Sequence, residues 1–166
     1  MNLSNINSIG IIGAGLMGHG IAIQFASHGF KVILNDVSEE RLEASVKTIE
    51  STAKQANLDT DSILGLIETQ NSLDTTASSS DFVIEAVFED LEVKRSIFEK
   101  LDSICPENTV LASNTSSFKA SQLAINCRFP ERIIVANWWN PPHILPLIEV
   151  VKGCLLYTSD AADERS

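Results

Sequence analysis

At 166 residues, 44% hydrophobic and a mean hydropathy of +0.09, the chain has the composition of one globular domain, not of a disordered or membrane-spanning protein. Its formal charge of −10 argues against nucleic acid or an anionic membrane as partner, since both need a basic stripe. Cys105, Cys127 and Cys154 lack metal-ligand spacing, which predicts reduced thiols and no metal; with no signal-like segment and no apolar run of roughly 20 residues, the cytoplasm is the expected location.

The first predicted element is a strand near 8–12 that runs into Gly13-Ala14-Gly15-Leu16-Met17-Gly18 and then into a helix from Leu16 to His28, stopped at Gly29. In such a Gly-x-Gly-x-x-Gly turn the first glycine permits the tight bend. The second removes the side chain where backbone must approach a pyrophosphate, and the third lets the helix pack close to the sheet. The free N–H groups and positive dipole end of the helix then face the phosphates. A second strand, 31–35, ends in Asp36, 18 residues beyond Gly18. A carboxylate there accepts both adenosine ribose hydroxyls and repels a 2′-phosphate, so NAD is favoured over NADP; the competing role for Asp36 is a turn residue before Ser38-Glu39-Glu40.

Further along, helices are expected over Ser38 to Ala56 and from Asp59 through Ile67, with a third strand at 71–73 and a polar turn at Ser78-Ser79-Ser80. A strand at 81–86 precedes an amphipathic helix, Leu91 to Ile104. Leu91, Ile97, Phe98, Leu101 and Ile104 fall on its buried face, with Glu92, Lys94, Arg95 and Glu99 among the rest. Strands near 109–112, 132–136 and 147–151 complete the pattern. The alternation predicts an α/β fold of the Rossmann type: a doubly wound, mostly parallel sheet with helices on both faces.

Three clusters follow strands on the ligand-binding side of such a sheet: Glu85-Ala86-Val87-Phe88-Glu89-Asp90 to Lys94, Ser113-Asn114-Thr115-Ser116-Ser117, and Asn137-Trp138-Trp139-Asn140-Pro141-Pro142-His143. With the glycine turn, these segments resemble the NAD-binding domain of the L-3-hydroxyacyl-CoA dehydrogenase family over residues 6 to 153. The resemblance implies an NAD-dependent oxidoreductase of fatty acid β-oxidation type, which oxidises a 3-hydroxyacyl-CoA or related 3-hydroxy acid to the 3-oxo product. It implies that Gly13, Ala14, Gly15, Leu16, Met17, Gly18 and Asp36 bind NAD, with Glu89 and Lys94 at the ribose and nicotinamide end and Asn114, Ser116 and Asn140 near the nicotinamide. Ser116 also matches the serine that holds the substrate's 3-oxygen, and Glu149 the acid that orients the family's catalytic histidine.

Where that histidine usually stands, this chain has Asn137. An amide has no basic lone pair, so Asn137 orients a hydroxyl but does not take its proton. His143 is a candidate substitute base, with a loop histidine at the site rim as the simpler role; Trp138 and Trp139 read as core and rim packing. Lys94 could instead pair with neighbouring carboxylates, and Ser116 could cap a helix beginning near Phe118. Two alternatives stay open: a non-catalytic NAD-binding protein, and a dehydrogenase of small hydroxy or sugar acids. Finally, Cys154 to Glu164 resembles a translated sequencing adaptor, so the expected organisation is an NAD-binding domain at 1–153 and a non-native tail at 154–166. The family's second, helical domain, which carries its homodimer contacts, would then lie beyond the chain, leaving exposed apolar surface and a portion expected to be inactive.

Overall fold

The computed structural model describes residues 6–153; the tail expectation at 154–166 lies outside the described residues. The element order is β1 (Ser8–Ile12), α1 (Leu16–Ser27), β2 (Lys31–Asn35), α2 (Glu39–Gln55), α3 (Thr60–Gly65), β3 (Ile67–Gln70), α4 (Leu73–Ser78), β4 (Phe82–Glu85), α5 (Leu91–Ile104), β5 (Val110–Ser113), α6 (Ala120–Leu123), β6 (Ile133–Trp138) and β7 (Ile148–Lys152). The strands form one sheet in the order β3-β2-β1-β4-β5-β6-β7. All neighbours are parallel except β6 and β7, which pair antiparallel with Asn137 opposite Glu149.

Alternation along each strand divides the core between the two faces. Ile9, Ile11, Val32, Leu34, Ile84, Ala112 and Trp138 pack with Ile21, Leu42 and Ile49 under α1 to α3. Ile12, Val83, Leu111, Ile133 and Val135 pack with Ala77, Phe98, Leu101 and Leu123 under α4 to α6. Each fully buried side chain of this size contributes about 1.5–3 kcal/mol relative to leaving it in water. Trp138 sits in the first cluster edge-on to Phe25, with ring centroids 5.7 Å apart, while Trp139 is half-exposed.

Two expectations are corrected. The helix after Asp59 ends at Gly65, not Ile67, and the third strand is Ile67–Gln70, not 71–73. Ile67 to Gln70 pairs residue by residue with Val32 to Asn35, and Ser72 then caps α4, a helix the sequence reading omitted, by accepting a hydrogen bond from the Thr75 N–H at 3.2 Å. The buried face of α5 also differs: Phe98 and Leu101 are buried as expected, but so are Lys94 and Asp102. Asp102 forms an ion pair with buried Arg132 at 2.8 Å, on the face away from the ligand-binding ends. Cys105 and Cys127 are free thiols, and burial pushes both up to about 11, which keeps them protonated at neutral pH.

Candidate functional site

The sheet order reverses between β1 and β4, and ligand clefts in doubly wound sheets open at that switch, beyond the strands' C-terminal ends. There lies a cavity of about 870 Å3, lined by Gly13, Gly15, Leu16, Met17, Asp36, Arg41, Glu89, Asn114 and Ser116. Gly13 turns with φ +107°, a left-handed conformation in which a side chain is strained. A Cβ on Gly18 would stand 1.8 Å from the Gly13 carbonyl oxygen, which fixes how closely α1 approaches the turn. A Cβ on Gly15 would instead meet no atom within 4 Å and would fill the open cradle itself. Gly15 caps α1 without a side-chain hydrogen bond, and no acidic residue stands in the first turn, so the helix presents bare N–H groups there. Bare donors, an open cradle and no competing carboxylate fit a pyrophosphate.

At the other end of the turn, Asp36 is buried at the cleft wall and makes the turn contacts considered for it. Its Oδ2 accepts from the Ala14 N–H at 3.1 Å and its Oδ1 from the Ser38 N–H at 3.0 Å, which fixes the carboxylate at the cleft wall with lone pairs to spare for ribose hydroxyls. Ala14 itself is buried, and its carbonyl accepts from the Ser45 hydroxyl of α2. Arg41, Leu73 and Val93, which the sequence left unassigned, also line the cleft, as does Ile97, expected on the buried face of its helix.

Glu89 lines the cleft and Lys94 does not. Lys94 is completely buried: its Nζ donates to Glu85 Oε1 at 2.7 Å, lies 3.1 Å from Glu89 Oε2, and donates to the Val87 carbonyl at 3.3 Å. Three donors meet three acceptors, leaving none for a ligand. The expected pairing with carboxylates is therefore present, but in the interior and not on an exposed helix. Glu85, also completely buried, accepts further from the Val87 N–H at 2.7 Å and the Ser113 hydroxyl at 2.6 Å. Burial raises the pKa of Glu89, but hydrogen bonds from Thr115, Lys94 and Ser117 and the Lys94 charge outweigh it and hold the carboxyl below its ordinary value.

A second cavity, of about 470 Å3, adjoins at the ends of β5 to β7 and is lined by Thr115, Ser116, Ser117, Asn137, Glu149 and Lys152, among others. Ser116 lines both cavities. Asn137 Nδ2 donates to Glu149 Oε2 at 3.4 Å across the antiparallel pair. The structure thus brings Ser116, Asn137 and Glu149 to one pocket. Asn114 lines the larger cavity only, its Oδ1 accepting from the Trp138 N–H at 2.8 Å. Asn140 is exposed, precedes the cis bond to Pro141, and lines neither cavity. Ser116 caps no helix: α6 begins at Ala120, and the turn's N–H groups at Ser117 and Phe118 are taken by the Thr115 hydroxyl.

His143 also lines neither cavity. Its loop docks on α1, where Pro142 packs against Gly20 and Gln24 Nε2 donates to the Pro142 carbonyl at 3.0 Å. Among the described residues no group of three or more His, Cys, Asp or Glu is arranged to hold a metal, and no helix is long and apolar enough to cross a membrane.

The family model for the 3-hydroxyacyl-CoA dehydrogenase NAD binding domain matches residues 8–164. A probable 3-hydroxybutyryl-CoA dehydrogenase of Bacillus subtilis is 35% identical over 165 residues, which is 95% of this chain and 57% of that protein. A 5-formyl-3-hydroxy-2-methylpyridine 4-carboxylate 5-dehydrogenase of Mesorhizobium japonicum is 32% identical, over 89% of this chain and 49% of its own length. Among solved structures, (S)-3-hydroxybutyryl-CoA dehydrogenase from Ralstonia eutropha superposes with a TM-score of 0.86 at 34% identity, covering 96% of this chain and 59% of that one. The chain therefore spans about half to three fifths of the length of these relatives.

Proposed function

Because the chain belongs to the 3-hydroxyacyl-CoA dehydrogenase family, as its NAD binding domain, we propose that it is the cofactor-holding part of an enzyme that oxidises a 3-hydroxyacyl thioester to the 3-oxo product. The observation that carries this reading is the continuous path from Asp36 past the bare Gly15 cradle to Ser116, which opens both on the dinucleotide cleft and on the Asn137–Glu149 pocket. NAD bound here supplies the hydride acceptor. Asp36 holds the adenosine ribose, the N-terminus of α1 the pyrophosphate, and Glu89 the second ribose. Ser116 and Asn137 hold the substrate's 3-oxygen at the meeting of the two cavities.

Asn137 occupies the position from which a general base would act, with the orienting carboxylate already opposite it, and its amide does not accept the substrate's proton. The chain is therefore expected to bind NAD but to turn over substrate slowly or not at all. A non-catalytic NAD-binding role is the second reading, favoured by this asparagine. The Mesorhizobium relative, named for a formyl-bearing pyridine carboxylate, makes small free carboxylates without coenzyme A the competing substrate class, with small hydroxy or sugar acids among them. Leu147, Val150 and Val151, more than half exposed along the edge strand and the turn before it, are the surface we assign to further domain or homodimer contacts.

The test is NADH formation from 3-hydroxybutyryl-CoA by a version extended with the relatives' second-domain length, carrying Asn137 or Asn137→His. Restoring an imidazole opposite Glu149 is expected to raise the rate about 10²- to 10⁴-fold. No turnover by either form, in a protein that still binds NAD, would remove the dehydrogenase reading in favour of the non-catalytic one, and turnover without a gain on Asn137→His would show that Asn137 is not what limits the chemistry.

A further inference from the structure

The geometry points to Thr115 as a positioning residue that ties the dinucleotide cleft to the substrate pocket, holding Glu89 with its hydroxyl proton and the Ser116 turn with its lone pairs. The inference rests on the reading of those two cavities given above. Thr115 is 1% exposed at the wall of the substrate pocket, and its hydroxyl is spent on protein partners. Its Oγ1 donates to Glu89 Oε1 and accepts from the Ser117 and Phe118 N–H groups, each at 3.2 Å. One donor and two acceptor sites are all a hydroxyl has, and every one is committed.

The other side of Glu89 is anchored equally firmly. Oε2 rests on Lys94, whose remaining donors are fixed by Glu85 and the Val87 carbonyl. Glu85 in turn accepts from Ser113, two residues before Thr115 on the same strand end. Glu89 therefore cannot swing toward a ligand without pulling on Thr115, and Thr115 cannot yield without releasing the turn that presents Ser116. Because Glu89 lines the dinucleotide cleft and Ser116 lines both cavities, occupancy at either end biases the other through the Thr115 hydroxyl, with the Ser117 side chain as a second bond from the same turn to Glu89, and by linkage the bias is reciprocal. A valine in place of Thr115 keeps the shape and removes all three bonds; a serine keeps the bonds and loses a methyl group.

Three variants of the 166-residue chain, Thr115→Val, Thr115→Ser and Glu89→Gln, are titrated with NAD and with ADP, and amide hydrogen exchange is followed at Ser117 and Phe118. In Thr115→Val, NAD binding is expected to weaken about tenfold, as for loss of one charged hydrogen bond, with ADP binding changed less than about twofold; Thr115→Ser should retain wild-type values. In the wild type, NAD should slow exchange at Ser117 and Phe118, and this protection should vanish in Thr115→Val. Without any ligand, Glu89→Gln should speed exchange at the same two amides. Unchanged exchange in Glu89→Gln overturns the inference even if Thr115→Val fails to fold, as does an equal loss of NAD and ADP affinity in a folded Thr115→Val. A wild-type chain that binds no NAD, while Glu89→Gln still speeds the exchange, removes the cofactor reading and leaves the Thr115 connection standing.

Discussion

Alanine at Gly18 and alanine at Gly15 should fail in opposite ways. At Gly18 the new Cβ stands 1.8 Å from the Gly13 carbonyl oxygen and 3.0 Å from its carbon, about 1.5 Å short of ordinary contact. The opposing atoms are backbone of a turn already held by the Gly13 N–H donating to the Asn35 carbonyl at 2.7 Å, so no rotamer change relieves the clash. Overpacking that side chains absorb costs about 1–3 kcal/mol, and a backbone clash belongs at or above the top of that range. Alanine's better helix propensity returns at most about 1 kcal/mol. A net loss of about 3 kcal/mol lowers Tm by about 6–12 °C in a chain of this size. At Gly15 the backbone is extended (φ −80°, ψ −164°), which alanine adopts freely, and nothing lies within 4 Å. Stability should stay within about 1 kcal/mol of wild type, while the methyl group occupies the cradle and weakens NAD by about tenfold or more. Calorimetric unfolding and NAD titration of both variants separate the two effects. A Gly15→Ala chain that binds NAD like wild type would show that the pyrophosphate does not sit in this turn; a Gly18→Ala chain as stable as wild type would refute the close approach of α1.

Two further substitutions probe the charges. Lys94→Met leaves Glu85 buried without its cation and should cost about 3–5 kcal/mol in denaturant unfolding, part of which Glu85→Gln in the same chain restores; a loss below about 1 kcal/mol would contradict the buried pair. His19 is held below its ordinary value by burial and by the His143 charge, against the bond its Nδ1 donates to the Gly15 carbonyl. The unfolded chain therefore takes up this proton first, so its contribution to stability is full above pH 6.5 and falls as the pH drops through the lower folded value. Urea midpoints measured between pH 8 and pH 5 should decline less in His19→Gln than in wild type, and parallel declines would exclude His19 as the source.

How far the sequence carried depended on which force fixed each feature. The turn at Gly13 to Gly18, the carboxylate at Asp36 and the sheet's alternation were legible because each is a local requirement, written at a fixed spacing. β3 and α4 were not. Ile67-Glu68-Thr69-Gln70 carries one apolar residue in four, and its place at the sheet edge comes from pairing with β2, a long-range contact that leaves little mark on an edge strand. Ser72 followed by Thr75 was a cap signal that the expected strand at 71–73 overrode. The antiparallel return of β7 was equally silent, yet it is what sets Glu149 opposite Asn137.

Lys94 shows where periodicity itself misleads. A helical wheel assigns every lysine to water, and the burial of Lys94 follows from Glu85, nine residues earlier on a neighbouring element. The readable signal was Glu85: a carboxylate at the inward end of Phe82-Val83-Ile84-Glu85 must find a cation or several donors, because an unpaired buried charge is too costly to keep. Searching for that partner leads first to Lys94, one helical turn past the Asp90 cap, and from there to Glu89 and Thr115. The buried ion pair therefore places the residues of the cleft wall, and a cleft carboxylate such as Glu89 is better located by asking what fixes it than by asking what it binds.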